Sequence, residues 1–109
     1  MANVNISYYR GLTQLPVSTQ NQMITGGAYA LEQPQLSSET LSTSGTAASS
    51  GAAPAATKIA YVQVPDGSTI RYVWNPPNYS VAASATSPSL SGHQTFPIGP
   101  SWTLSAIDA

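Results

Sequence analysis

The fold is decided by the stretch Lys58-Ile59-Ala60-Tyr61-Val62-Gln63-Val64-Pro65-Asp66-Gly67-Ser68-Thr69-Ile70-Arg71-Tyr72-Val73-Trp74. Its outer parts, residues 58–64 and 69–74, are rich in the β-branched and aromatic residues that favour strands. The four residues between them suit a turn, because proline fixes φ, aspartate bonds its own backbone and glycine takes positive φ. The sequence therefore predicts a β-hairpin with a bulged turn, whose second strand presents Ile70, Tyr72 and Trp74 on one face.

The chain after residue 74 continues the β pattern. Two prolines in series at positions 76 and 77 end the second strand, because they offer no N–H to a neighbouring strand. Further strands are predicted at residues 81–85, 94–98 and 102–107, and Pro97 makes the second of these an edge strand. Nine prolines and eight glycines would break most helices, and no window is convincingly amphipathic. The predicted fold is all-β, a small antiparallel sandwich or barrel of about six to eight strands.

The N-terminal half differs in composition. Val4, Ile6 and Tyr8 alternate, which suits a strand added to a neighbouring subunit, and residues 1–30 are predicted to form an extended N-terminal arm ahead of a β domain at 31–109. Within that domain, residues 42–57 contain no large side chain. Such a segment buries too little apolar area by itself to offset an ordering entropy of about 1–2 kcal/mol per residue. It is either a flexible linker or an ordered edge strand or loop.

Charged side chains are scarce. The 109 residues include seven, with a net charge of −1: Arg10, Lys58, Arg71, Glu32, Glu39, Asp66 and Asp108. Three cations are too few to displace counterions from nucleic acid, and no apolar run approaches the ~20 residues of a membrane span. No nucleic-acid or membrane partner is therefore expected. A surface with so little like-charge repulsion is typical of a protein that packs against neighbours, which favours an assembly component.

Residues that support catalysis or metal binding are few and scattered. His93 is the only histidine, and a Ser-His-Asp arrangement would have to pair it with the distant Asp108. Glu32 and Glu39 are a conceivable carboxylate pair for glycoside hydrolysis, with nothing else to support that reaction. The absence of cysteine excludes disulfides, thiol catalysis and thiolate-bound metals. The sequence predicts no enzyme, no metal site and no cofactor.

Aromatic residues allow two interpretations. They either form a stacking platform for carbohydrate or, as their alternation along strands favours, pack in the core or at a subunit interface. The eight residues are Tyr8, Tyr9, Tyr29, Tyr61, Tyr72, Trp74, Tyr79 and Trp102.

Contacts with a partner are predicted near the N-terminus. Aromatic and arginine side chains dominate interface hot spots, which selects Tyr8, Tyr9 and Arg10 together with the apolar Leu12 and Leu15. The alternative is that this segment is a frayed terminus. Arg71 is expected in mid-strand opposite the 58–64 strand, where it either faces solvent or pairs with an acid of a neighbouring subunit. The first five residues lack the basic and apolar regions of a secretory signal, so synthesis in a cytoplasm is expected.

Residues 40–109 resemble small all-β structural proteins of tailed bacteriophages and prophages. The likeness rests on a recurrent layout of strands and turns, in which a Ser/Ala-rich lead-in at 46–56 precedes strands at 59–64 and 70–74. A small-residue stretch and a terminal pattern follow, here Ala83-Ser84-Ala85-Thr86-Ser87-Pro88-Ser89-Leu90, Gly92, Phe96-Pro97-Ile98-Gly99-Pro100 and Leu104-Ser105-Ala106-Ile107. Residues 1–39 carry no comparable likeness.

The resemblance implies a virion structural protein, specifically a capsid decoration or cement protein that binds and stabilises the assembled phage head. Proteins of this kind are often trimers at local three-fold positions of the capsid. The implied partners are the major capsid protein and further copies of this chain, with a trimer favoured, on the capsid surface. Two alternatives remain, a small neck- or tail-associated virion protein and a carbohydrate- or receptor-binding β module.

Overall fold

The fold is described by a computed structural model, which covers residues 2–14, 18–19, 22–23 and 29–109. Two four-stranded antiparallel sheets pack face to face, and four more strands form two short antiparallel ladders. The described residues contain no helix, so the predicted all-β sandwich is confirmed. The strands are β1 Asn3–Tyr9, β2 Leu12–Gln14, β3 Ser18–Thr19, β4 Gln22–Met23, β5 Tyr29–Leu31, β6 Ser37–Ser42, β7 Ala48–Ser49, β8 Ile59–Gln63, β9 Ile70–Asn75, β10 Ser89–Leu90, β11 His93–Pro97 and β12 Thr103–Asp108.

The first sheet has the strand order β11-β8-β1-β6, and the second has the order β10-β9-β12-β7. Alternate residues of the inner strands point between the sheets and form the core. Val4, Ile6 and Tyr8 enter it from β1, while Leu104 and Ala106 enter it from β12. These positions are almost completely buried, which matches the period-two alternation of a strand with one covered face.

The predicted hairpin over residues 58–74 is wrong in its pairing. The turn itself forms, with the Ser68 N–H donating to the Pro65 carbonyl at 3.1 Å and Gly67 at a φ of 81°. However, β8 pairs with β1 and β11 in the first sheet, and β9 pairs with β12 and β10 in the second. The turn therefore carries the chain from one sheet to the other. Turn residues specify a reversal of direction, whereas the choice of neighbour depends on strands distant in sequence.

The N-terminal residues do not form an arm over their whole predicted range. Strand β1 is an inner strand of the first sheet, paired with β6 on one side and β8 on the other. Its alternating side chains fill this chain's own core rather than adding a strand to a neighbour. Between β1 and β6, outside the two four-stranded sheets, β2 pairs with β5 and β3 pairs with β4; we call these two ladders the β-ribbon. The Glu32 N–H donates to the Gly11 carbonyl at 2.9 Å and closes its base.

Of the two alternatives for residues 42–57, the structure shows an ordered edge segment. Strand β7 pairs with β12 at the edge of the second sheet. The Ser50 N–H donates to the Leu104 carbonyl at 2.8 Å, and the Ala53 N–H donates to the Trp102 carbonyl at 2.9 Å. The small side chains allow this close approach, and β12 supplies the partners that the segment cannot supply for itself.

Of the strands predicted at residues 81–85 and 94–98, the structure contains one. The predicted edge strand at residues 94–98 is confirmed, since β11 lies at the edge of the first sheet. The predicted strand at 81–85 is wrong, because those residues belong to a loop. That loop, residues 76–88, is called the cover loop below.

Candidate partner-binding surfaces

The cover loop occupies the outer face of the second sheet. The Asn75 side chain exchanges two hydrogen bonds of 2.9 Å with the backbone of Val81, and the Ser105 hydroxyl accepts one from the Ala83 N–H at 2.9 Å. The Arg71 guanidinium donates to the Ser87 carbonyl at 2.7 Å. Arg71 is therefore held by its own chain, beside β10 and β12 rather than opposite β8 as predicted.

The outer face of the first sheet has a different character, because it bears no formal charge. Strand register and alternation place thirteen side chains on it, of which all except Ser7, Tyr9, Ile59 and Tyr61 are exposed. We call this surface the uncharged face. It consists of Asn3, Asn5, Ser7, Tyr9, Ser38, Thr40, Ser42, Ile59, Tyr61, Gln63, His93, Thr95 and Pro97.

Two of the predicted partner contacts are not available at the surface of this chain. Tyr8 is 2% exposed and points into the core, and Tyr9 is 8% exposed on the uncharged face. The side chain of Tyr8 is therefore used by the core of this chain, and Tyr9 offers little exposed area for a partner. Arg10 is exposed, and Leu12 is 54% exposed at the base of the β-ribbon. Leu15 lies outside the described residues.

A shallow apolar cleft opens at the end of the sandwich where β1 leaves for the β-ribbon. Its volume is about 390 Å³, and its walls come from the segments before β8, after β11 and before β12. The lining residues are Ala56, Thr57, Lys58, Pro97, Ile98, Gly99, Pro100 and Trp102. The Lys58 N–H donates to the Tyr9 carbonyl at 3.0 Å, which fixes the cleft beside the root of the β-ribbon.

The backbone around this cleft departs from ordinary geometry at two residues. Ala56 has a φ of 72° and Ser101 a φ of 68°, conformations that cost side-chain-bearing residues roughly 1 kcal/mol or more. The buried Thr57 hydroxyl at the cleft has no hydrogen-bond partner among the described residues. Backbone hydrogen bonds hold this geometry, with the Thr57 N–H donating to the Pro54 carbonyl at 3.3 Å and the Ser101 N–H donating to the Ala53 carbonyl at 2.9 Å.

The single glutamate of β6 forms a polar bridge inside the sandwich. Glu39 accepts a hydrogen bond of 2.6 Å from the Tyr8 hydroxyl and one of 3.1 Å from the Gly51 N–H. Burial raises the pKa of Tyr8, and the hydrogen bond to Glu39 and its charge raise it further. At the other end of the molecule, the Thr43 hydroxyl donates to Asp108 and lowers the pKa of that carboxyl.

The side chains considered for catalysis lie on different elements of the fold, with His93 in β11, Asp108 in β12 and Glu39 in β6. His93 is exposed on the uncharged face, and its ring lies 5.6 Å from that of Tyr61. Glu39 bonds to Tyr8 and Gly51, whereas Glu32 lies at the base of the β-ribbon. Within the described ranges, no three His, Asp or Glu side chains are grouped so that they could hold a metal ion.

The aromatic residues favoured as core components divide between core and surface. Tyr72 and Trp74 pack against Phe96 across the sandwich, with ring centroids 5.2 and 5.7 Å apart. Trp102 packs against the core and also lines the cleft. Tyr79 is 66% exposed on the cover loop. The two tryptophans therefore do not form an open stacking platform.

Comparison of the chain with protein-family models, with curated proteins and with solved structures finds no match. The described part of the chain also contains no helix with the length and hydropathy needed to cross a membrane. Among the described residues, the candidate surfaces for recognition are the uncharged face, the cleft and the β-ribbon. The sequence analysis did not predict the uncharged face or the cleft. Asn5 and Ser7, which alternate with Val4, Ile6 and Tyr8, are the signal that indicates a polar, uncharged strand face.

Proposed function

We propose that this protein is a structural component of a phage virion, a capsid decoration or cement protein that binds the assembled head and stabilises it. The observation that carries the proposal is the uncharged face, a four-stranded sheet surface of amide, hydroxyl, aromatic, imidazole and aliphatic groups. Burying such a surface avoids the large desolvation penalty of ionised groups. It therefore suits a protein that spends its life packed against another protein.

The mechanism is thermodynamic. A protein that binds only the assembled shell stabilises that shell by mass action, and the stabilisation grows with its concentration relative to the dissociation constant. Repetition over many equivalent sites adds avidity if the bound copies also contact one another. The likeness of residues 40–109 to small phage structural proteins supports this role, with the major capsid protein as partner.

The first test is the copy number in purified particles, measured by quantitative mass spectrometry against the major capsid protein. A decoration protein is expected in hundreds of copies at a fixed ratio to the shell subunit. A handful of copies would instead assign the protein to the neck or tail, the second candidate location. Absence from the particle would overturn the virion role.

The second test asks whether the uncharged face makes the contact. Thr40→Lys and Thr95→Lys each introduce a charge at an exposed position of this face, and an interface would have to desolvate it. Both variants are expected to bind heads that lack the protein about ten-fold more weakly in a co-sedimentation assay. Ala85→Lys adds the same charge on the cover loop and serves as the matched control. Equal binding by all three variants would exclude the uncharged face as the contact.

A further inference from the structure

Most of the few charges of this protein lie at the two ends of the sandwich. Arg10 and Lys58 lie at one end, where the Lys58 N–H bonds to the residue preceding Arg10, and Glu32 is nearby at the base of the β-ribbon. Asp66 and Asp108 lie at the other end, near the turn that joins β8 to β9. At about 3.4 Å per strand residue, roughly 20 Å separates the two ends. We call them the basic end and the acidic end.

The basic end combines a cation with an apolar recess. Lys58 lines the cleft together with Trp102 and the prolines at positions 97 and 100. Its side chain is exposed, and no ion pair of Lys58 occurs among the residues that the structure describes. An occupant that fits must offer an apolar group for the recess and an anion for the ammonium group.

The acidic end presents that combination. The turn of residues 65–68 exposes the Pro65 ring next to the Asp66 carboxylate. Within the described ranges, the Asp66 side chain has no hydrogen-bond or ion-pair partner. The turn is narrow and rigid, because the Ser68 N–H bonds to the Pro65 carbonyl and Gly67 takes a positive φ. A preorganised turn loses little conformational entropy when it binds.

We propose that the cleft at the basic end receives the acidic turn of a second copy, with Pro65 in the recess and Asp66 against Lys58. The contact joins two different surfaces, so it is head-to-tail, and successive contacts either close a ring or continue as an open chain. The inference goes beyond the proposed function. It rests on the placement of charge and on the shape of the two ends, and it concerns purified protein in the absence of any shell.

The test is sedimentation velocity of the full chain over a wide concentration range. Mass should rise with concentration for the native protein, and added salt should weaken the association, because an exposed ion pair is screened. Lys58→Glu and Asp66→Lys should each weaken self-association by about ten-fold or more, since each places like charges opposite one another. Both side chains are exposed, so circular dichroism should show an unchanged fold. Ala85→Lys, on the cover loop, should associate like the native protein.

The decisive experiment mixes the Lys58→Glu and Asp66→Lys variants. In the mixture, the acidic cleft of the Lys58→Glu variant can bind the basic turn of the Asp66→Lys variant. The native cleft of the Asp66→Lys variant can bind the native turn of the Lys58→Glu variant. Association should return to within about two-fold of the native level. Failure of the mixture to associate, or a native chain that stays monomeric at every concentration, would overturn the inference. Neither result bears on binding to heads, which the co-sedimentation assay measures separately.

Discussion

The hydroxyl of Tyr8 donates a hydrogen bond of 2.6 Å to Glu39 across the first sheet, although 31 positions separate the two residues. The second carboxylate oxygen of Glu39 accepts from the Gly51 N–H, which follows β7 of the second sheet. One side chain therefore joins both sheets where β6 and β7 end the sandwich. An inward-pointing charge on an edge strand also discourages pairing with another chain, so β6 is protected against edge-to-edge aggregation.

Removing this bridge is expected to destabilise the fold. Glu39→Ala should lower the free energy of unfolding by about 1–2 kcal/mol, because two hydrogen bonds to a partly buried carboxylate are lost. Urea denaturation followed by tryptophan fluorescence measures the change. A double-mutant cycle with Tyr8→Phe isolates the pair, and strictly additive losses would show that Tyr8 and Glu39 are not coupled.

Stability should fall at alkaline pH. The pKa of Tyr8 is raised in the folded state above its ordinary value of about 10, first by burial and then by Glu39. The unfolded chain releases the phenol proton from about pH 10 upward while the folded chain retains it, so the free energy of unfolding decreases as pH rises through that range. Melting temperatures should show a steeper alkaline decline for the native protein than for Tyr8→Phe. Tyr79→Phe, which alters an exposed phenol, should behave like the native protein.

Stability should also fall in acid. The Thr43 hydroxyl holds the pKa of Asp108 below its ordinary value, so the folded chain keeps this carboxylate ionised at a pH where the unfolded chain protonates it. The resulting stabilisation is present above about pH 4 and disappears as pH falls through the lowered folded-state value. Denaturation curves at decreasing pH measure this effect. The free energy of unfolding should fall less steeply with pH for Asp108→Asn than for the native protein. Equal slopes would mean that this contact is not linked to folding.

Among the side chains that pack between the two sheets, we expect removal of the Phe96 ring to cause the largest loss in the free energy of unfolding. It packs edge-on against Tyr72 and at a tilt against Trp74, and it is 8% exposed. Phe96→Ala should cost about 3–5 kcal/mol through lost burial and an unfilled cavity. Phe96→Leu refills part of the space and should lose less, as measured by the midpoint in urea. A loss below about 1 kcal/mol for the alanine variant would contradict this role.

A side chain at the glycine of the turn between the sheets should lower stability through the backbone conformation that the turn requires. Gly67 has a φ of 81°, and a Cβ there would meet no atom within 4 Å, so the cost of Gly67→Ala is conformational rather than steric. We expect a loss of about 1 kcal/mol. Gly45 is equally open but does not have a positive φ, and Gly45→Ala should be neutral or slightly stabilising. Equal effects at the two glycines in thermal denaturation would refute the argument.

The sequence was more informative about strands than about their partners. Alternation and turn residues located β8, β9, β11 and β12, because those signals act within a few residues. The pairing of β8 with β9 was wrong, since the same turn permits a hairpin or a crossing between sheets. The outcome depends on burial against strands distant in sequence, because β8 pairs with β1 in the first sheet and β9 pairs with β12 in the second.

The N-terminal strand shows the same limit for the prediction of partner contacts. Alternation shows that Val4, Ile6 and Tyr8 are buried, but it does not show in which molecule. The predicted partner contacts at Tyr8 and Tyr9 therefore became core and sheet-face residues of the chain itself. The cleft was beyond prediction because its walls come from three segments that lie up to 46 positions apart, from Ala56 to Trp102, and only the folded chain brings them together.

Gly11 and Glu32 stand at the base of the β-ribbon, where the Glu32 N–H donates to the Gly11 carbonyl at 2.9 Å next to the β2–β5 ladder. Because the two anchor points are adjacent, doubling the length of the intervening segment would cost only about 0.6 kcal/mol in loop-closure entropy. The β-ribbon can therefore be rewritten, lengthened or exchanged while the core residues keep their places. In an engineered setting it is a natural site for displaying a foreign peptide. In evolution it is a position where affinity for a new target can arise without rebuilding the scaffold.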